Sequence, residues 1–237
     1  MSRHSEEIAY LKRLMGDFPA DFDKSQASKA FQRINTRYKV LENEFILEKN
    51  DFFSSSESEG IAVNSSNMKD LAFSVHRFMF SSILSNAGGM RKSSDPNDGH
   101  IYFGGTKHQG HKQQFQGTPP SRINTELDAA FAHLTSHADE PIRQAMRFYQ
   151  HFVYIHPFYD GNGRIGRVLV STYLYQFNYY VLWMAFDGPN NTQFINKLNE
   201  CHKRMKSEFR FDDYFGYLLI FFKEHVISVE ELKTLEK

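Results

Sequence analysis

Apolar residues recur with a helical period over most of this chain. Between Lys24 and Asn50, Ala27, Phe31, Ile34, Tyr38, Leu41 and Phe45 follow at spacings of 4, 3, 4, 3 and 4, which predicts one stripe on one helix. A shorter helix is expected over residues 5–15, broken by Asp17-Phe18-Pro19. Over residues 66–85, Met68, Leu71, Ala72, Val75, Phe78, Met79 and Leu84 share a broad apolar face and predict another. Asn124-Thr125 offers a capping side chain ahead of Leu127, Ala130, Phe131 and Leu134, so a helix is expected to open there and run to about His137. Pro141 stands where a first-turn proline belongs, and Met146, Tyr149, Phe152 and His156 then lie along one side of a helix through Ile155. From Ile165 to Tyr180 the chain is apolar-periodic, and from Val168 on it is apolar nearly all round, as in a buried central helix. Asp187-Gly188-Pro189 turns the chain. Phe194, Ile195, Leu198, Cys201 and Met205 mark the next helix, residues 214–222 a further one, and 228–237 a charged tail.

Two stretches break this rhythm. Residues 86–120 hold seven of the 14 glycines, three histidines and three prolines, with few aliphatics. Within them Ile101-Tyr102-Phe103 is strand-like and Phe115-Gln116 is its expected partner across a polar turn. His108-x-x-His111 has ligand-like spacing, yet no further ligand follows at metal spacing, so it reads as polarity of that turn. The second break is His156-Pro157-Phe158-Tyr159-Asp160-Gly161-Asn162-Gly163-Arg164-Ile165-Gly166-Arg167. It offers a base, a carboxylate, a Gly-Asn-Gly turn and two arginines three apart, set between two helical segments. A glycine-rich turn that opens a helix presents bare N–H groups under a positive dipole end, which suits phosphate. Arg164 and Arg167 point the same way from the first turns of that helix and can fork onto phosphate oxygens. Asp160 is a hard oxygen ligand suited to Mg²⁺, and His156 can take a proton near neutral pH.

Composition removes several classes. Lys plus Arg and Asp plus Glu are both 28, and the pI is about 7.2, so nothing points to nucleic acid or an anionic membrane. The single Cys201 excludes an internal disulfide framework and suits a cytoplasmic protein. No run approaches the roughly 20 apolar residues of a spanning helix, and the start lacks the apolar core of a signal peptide.

The string from His156 to Arg167 resembles the signature of the Fic (Fido) family, His-Pro-Phe-x-(Asp/Glu)-Gly-Asn-(Gly/Lys)-Arg-x-x-Arg, and agrees at every defined position. The resemblance implies an all-α, Fic-type helical bundle with one β-hairpin flap beside the active site. It divides the chain into an N-terminal helical region (1–65), a catalytic core (66–227) and a C-terminal tail (228–237). The implied activity is protein adenylyltransfer (AMPylation): AMP passes from Mg-ATP to a Tyr, Thr or Ser hydroxyl and pyrophosphate leaves. His156 is the implied base and Asp160 the Mg²⁺ ligand, while Gly161, Asn162, Gly163, Arg164 and Arg167 bind the nucleotide phosphates. The target protein would dock on the flap at about 101–116, and the chain itself is a further candidate target. In the family the segment after the central helix helps to hold adenine and ribose, and the nearest matches are Phe194 and His202.

Ser55-x-x-x-Glu59-Gly60 also resembles the family's (Ser/Thr)-x-x-x-Glu-(Gly/Asn) inhibitory motif, in the class where that helix precedes the core. Ser58 stands where an apolar residue commonly precedes the glutamate. The resemblance implies that Glu59 pairs with Arg167 and occupies the place of the γ-phosphate, as a carboxylate that forks onto an arginine can. Other readings of the same fold are AMP removal with Glu59 positioning water, and transfer of another nucleotide. A nucleotide-sensing interaction module belongs to a different class. The Lys24–Asn50 stripe is expected to pack on its own domain and leaves a homodimer open.

Overall fold

The computed structural model describes residues 29, 32–38, 65–81, 83–84, 86–103, 115–136, 139–186, 189–204 and 213–235. Its helices are α1 (Ser65–Phe80), α2 (Pro120–Ser136), α3 (Pro141–Ile155), α4 (Asn162–Tyr175), α5 (Pro189–Arg204), α6 (Asp213–Lys223) and α7 (Val229–Leu235). Two short antiparallel pairs join them, β1 (Tyr102–Phe103) with β2 (Phe115–Gln116), and β3 (Tyr179–Val181) with β4 (Val226–Ser228). Among the described residues no helix is long and apolar enough to cross a membrane.

Helix α3 is the hub. It packs against α2, α4, α5 and α6, and its run from Gln144 to Phe152 is buried on every side. Its neighbour α4 is nearly as buried, from Val168 to Leu174 without interruption. Chain neighbours α2, α3 and α4 therefore form successive layers, with the α3–α4 corner held between α1 and the strand pair β1–β2. Residues 32–38 are helical as the stripe predicts. Ile34 is fully buried, and Arg37 donates to the carbonyls of Met79 (3.1 Å) and Ser81 (2.9 Å), closing the C-terminal end of α1.

Three expectations need correction. The helix expected over 66–85 ends at Phe80, and Phe78, placed on its apolar face, is 45% exposed. Asn124 caps nothing. Helix α2 starts four residues earlier, with Pro120 in its first turn, and Asn124 accepts from Lys69 Nζ (2.7 Å) on the exposed face. The apolar run to Tyr180 is not all helix: α4 stops at Tyr175, Asn178 turns through φ 60°, and Tyr179–Val181 becomes β3. That strand pairs with β4, so a second strand pair accompanies the expected one. The expected pair is present in the expected register, Tyr102 opposite Gln116 and Phe103 opposite Phe115.

Candidate active site

The site is a corner between two helix ends. Helix α3 finishes at Ile155, and His156 reverses the chain in a left-handed conformation (φ 53°, ψ 58°), its N–H donating to Phe152 O at 3.1 Å. Its Nδ1 lies 3.1 Å from Val153 O, which assigns the proton to Nδ1 and leaves Nε2 as a lone pair. Burial pushes the pKa down to about 3, and the Arg91 guanidinium adds to this against the pull of the Val153 carbonyl. The imidazole is neutral at neutral pH, the form a base needs.

The next residues shape the loop. Phe158 is fully buried, stacked on His76 (4.1 Å between ring centroids) and edge-on to Phe73. Asn162 binds the main chain of Phe158 in both directions, accepting its N–H at 3.0 Å and donating to its carbonyl at 2.8 Å. The asparagine side chain thus closes the loop, and what it offers a ligand is its backbone N–H. Gly161 sits at φ 79°, and a Cβ there would come within 2.5 Å of the Phe80 ring, so both conformation and space require glycine. Asp160 accepts from Gly161 N through Oδ1 (2.6 Å), and burial raises its pKa while the nearby Arg164 opposes the rise.

Helix α4 starts at Asn162, so the first N–H groups of a fourteen-residue helix open onto this corner without partners inside the helix. The guanidinium of Arg167 lies 5.2 Å from the Trp183 ring, and Tyr149 and Tyr38 bond to it. Burial acts to lower the pKa of Arg167, but the two phenolic oxygens outweigh it and leave it raised. Arg167 is thus fixed from two sides, one of them the N-terminal segment. Ser55, Glu59 and Gly60, expected to reach Arg167, lie outside the described residues, as do His108 and His111.

Several residues at the site escaped the sequence reading. Tyr159, at the variable position, donates to Asp95 Oδ2 (2.8 Å), whose carboxylate also accepts Lys92 N–H (2.7 Å). This ties the signature to the loop after α1. His76 is fully buried, and its Nδ1 accepts Gly88 N–H at 2.7 Å. Its Nε2 faces the Asp160 main chain outside strict hydrogen-bond geometry, yet near enough for that carbonyl to offset part of the burial that lowers its pKa to about 4. Tyr38 had a signal, since it lies on the apolar stripe while carrying a hydroxyl. The others had none.

The adenine and ribose candidates separate. Phe194 is fully buried among Tyr149, Phe186 and Phe221, so it is core. His202 stands nearer the chemistry, its ring 5.6 Å from Phe115 of β2 and 5.5 Å from Tyr154, with Nε2 donating to Gln150 O at 3.1 Å. Its pKa is lowered to about 4 by burial. His133 on α2 is half-buried with its Nε2 out of solvent, and its charge acts to lower the pKa of His151. Among the described residues no three His, Cys, Asp or Glu groups converge as an all-protein metal cage. A lone carboxylate completed by phosphate oxygens is the usual way Mg²⁺ is held beside a nucleotide, and Asp160 Oδ2 fits that role.

A sequence profile of the Fic/DOC family matches residues 68–174, which contain the whole corner. The fold agrees with solved structures at low identity. The N-terminal Fic domain of an effector protein from a Bartonella species matches 86% of this chain and 84% of its own, with TM-score 0.58 and 15% identity. BepC from Bartonella tribocorum, solved with bound AMPPNP, matches 92% and 97%, with TM-score 0.55 and 13% identity. A Fic family protein from Desulfovibrio desulfuricans matches 100% and 76%, with TM-score 0.53 and 12% identity. Residues 68–174 thus match the Fic/DOC family, and the fold of the described residues is that of solved Fic-domain proteins.

Proposed function

We propose that this chain is an autoinhibited protein adenylyltransferase that moves AMP from Mg-ATP to a Tyr, Thr or Ser hydroxyl of a protein. Fic-family domains in general transfer nucleotide-derived groups to proteins, which sets the class. The observation that carries the finer reading is the corner itself: His156, with its proton assigned to Nδ1, ends one helix, and six residues later Asn162 opens α4 with its first N–H groups lacking partners inside the helix.

The triphosphate would lie along the start of α4, where the N–H groups of Asn162 and Gly163 and the dipole favour anions. Arg164 and Arg167 face the β- and γ-phosphates. Asp160, with phosphate oxygens, would hold Mg²⁺, which would supply charge neutralisation for the leaving pyrophosphate. The acceptor hydroxyl gives its proton to His156 Nε2 as its oxygen forms a bond to the α-phosphorus. The bond from that phosphorus to the bridging α–β oxygen breaks, and its electrons leave with pyrophosphate. A target segment extended along β1–β2 would bring such a hydroxyl to the histidine. Glu59 on Arg167 would exclude the γ-phosphate and hold the enzyme off.

Incubation with α-labelled ATP and Mg²⁺ tests this. Wild type is expected to label itself weakly and Glu59→Gly strongly, with His156→Ala reducing labelling by about 100-fold or more. Equal labelling of wild type and Glu59→Gly overturns the inhibition, and labelling that survives His156→Ala overturns the base. Loss of AMP from a modified protein with wild type, but not with Glu59→Gly, would make removal the main activity. A γ-labelled control separates nucleotidyl from phosphoryl transfer.

A further inference from the structure

Behind the base lies Arg91, only 2% exposed and among the largest fully buried side chains. Four of its acceptors are main-chain carbonyls from three separate places. Nε donates to His156 O at 2.8 Å. Nη2 donates to Thr118 O at 2.8 Å and to Ile155 O at 3.2 Å. Nη1 donates to Gly99 O, just before β1. The Arg91 N–H is itself bonded to Pro157 O at 3.0 Å. One guanidinium therefore joins the end of α3, the base, the entry to β1 and the exit from β2.

The chemistry explains why this position holds arginine. The last carbonyls of α3 lack partners within the helix and sit at its negative dipole end, so a cation there is stabilised. A planar fork reaches carbonyls on several sides at once, whereas a lysine ammonium is a single point. Burying an unpaired charge is costly, so the donors must all stay engaged, and that requirement holds the surrounding carbonyls in place.

The strand pair is seated on the base by other contacts too. Gly117 N donates to Ile101 O (3.0 Å), and Thr118 N donates to Ile155 O (3.2 Å). A Cβ added to Gly117 would stand 3.1 Å from Arg91 Nη2 and 3.2 Å from His156 Cβ. The end of β2, the guanidinium and the histidine are thus in direct packing contact.

We propose that Arg91 is a positioning residue that locks the β1–β2 strand pair to His156, so that an acceptor held on the strands and the base that deprotonates it keep a fixed register. This rests on the adenylyltransferase reading for its kinetic arm, and on geometry alone for its structural arm. The variants are Arg91→Lys, which keeps the charge and loses the fork, and Gly117→Ala, which wedges a methyl between the same groups. Both are made in the Glu59→Gly chain, with thermal melting to establish folding.

In single-turnover self-labelling with α-labelled ATP, the plateau rate of Arg91→Lys is expected to fall by roughly 10- to 100-fold, with the half-saturating ATP concentration unchanged within about twofold. Amide hydrogen exchange at Gly117, Thr118 and His156 is expected to rise about tenfold or more, while residues 168–174 of α4 stay as in the parent. A general loss of structure would move half-saturation and α4 exchange as well, which overturns a positioning role. An unchanged plateau, or unchanged exchange at 117, 118 and 156, overturns it too. If Arg91→Lys does not fold, Gly117→Ala carries the same predictions. If the parent transfers no label at all, the adenylyltransferase reading has failed, and the exchange measurements alone decide the coupling.

Discussion

The two helix ends that meet at the corner have opposite electrostatic needs, and the protein meets them differently. At the C-terminal end of α3, the carbonyls of Ile155 and His156 are met from within by Arg91, and Thr118 N–H adds to Ile155. At the N-terminal end of α4, the Asn162 side chain is spent on Phe158 and the Gly161 N–H on Asp160, while the first N–H groups of the helix keep facing out. The closed end makes the base rigid. The open end leaves a positive helix terminus whose natural complement is a ligand's phosphate. A helix terminus finished from within builds structure, and one left unfinished builds a binding site.

The largest expected break in that contrast comes from the floor under the open end. Phe158→Ala should lower stability by about 3–5 kcal/mol in chemical denaturation, because the ring fills space against His76, Phe73 and Phe152. Gly161→Ala should cost about 2–4 kcal/mol, from the left-handed backbone and the collision with Phe80. Loss of phosphate binding without loss of stability in Gly161→Ala would show that the turn is less constrained than argued.

Acid acts on both sides of the corner at once. His76 under the open end, and His151 and His202 behind the closed one, are held neutral with pKa values lowered to about 4, 3 and 4 by burial. The unfolded chain takes up these protons near 6.5, so their contribution is complete above that pH and is lost as pH falls toward 4. Each should remove on the order of 1 kcal/mol between pH 6.5 and 5.5, read as a falling melting temperature that His151→Phe makes shallower. The smallest effect is expected at Tyr38→Phe. Loss of one bond to Arg167 should raise half-saturating ATP about three- to tenfold, leave AMP affinity unchanged, and have no effect in an Arg167→Met chain.

The contrast also explains what the sequence made legible. The open end was readable because its needs are local: glycines, a carboxylate and arginines within twelve residues can serve little else. The closed end was not, since the groups that finish α3 come from 64 and 65 positions away in Arg91, and from Thr118. An arginine in a glycine-rich polar stretch looks like surface, and only the folded chain shows it buried. The start of α2 was misread because Asn124-Thr125 has the chemistry of a cap, while Pro120 four residues earlier takes the first turn and leaves Asn124 to Lys69. Strands β3 and β4, three residues each, are too short to alternate visibly, and Tyr179–Val181 continues the apolar run of α4. The inhibitory segment remains an expectation of the sequence alone.

The left-handed backbone at His156 has a practical side. Left-handed conformations suit glycine and asparagine and penalise most side chains that carry a Cβ, β-branched ones most of all. A His156→Ala chain therefore loses the proposed base and also loosens the corner, whereas His156→Asn removes the imidazole and keeps the bend. If the proposed adenylyltransfer and target docking hold, the asparagine variant is the better bait for an unmodified target, because the strand pair keeps its seat beside residue 156.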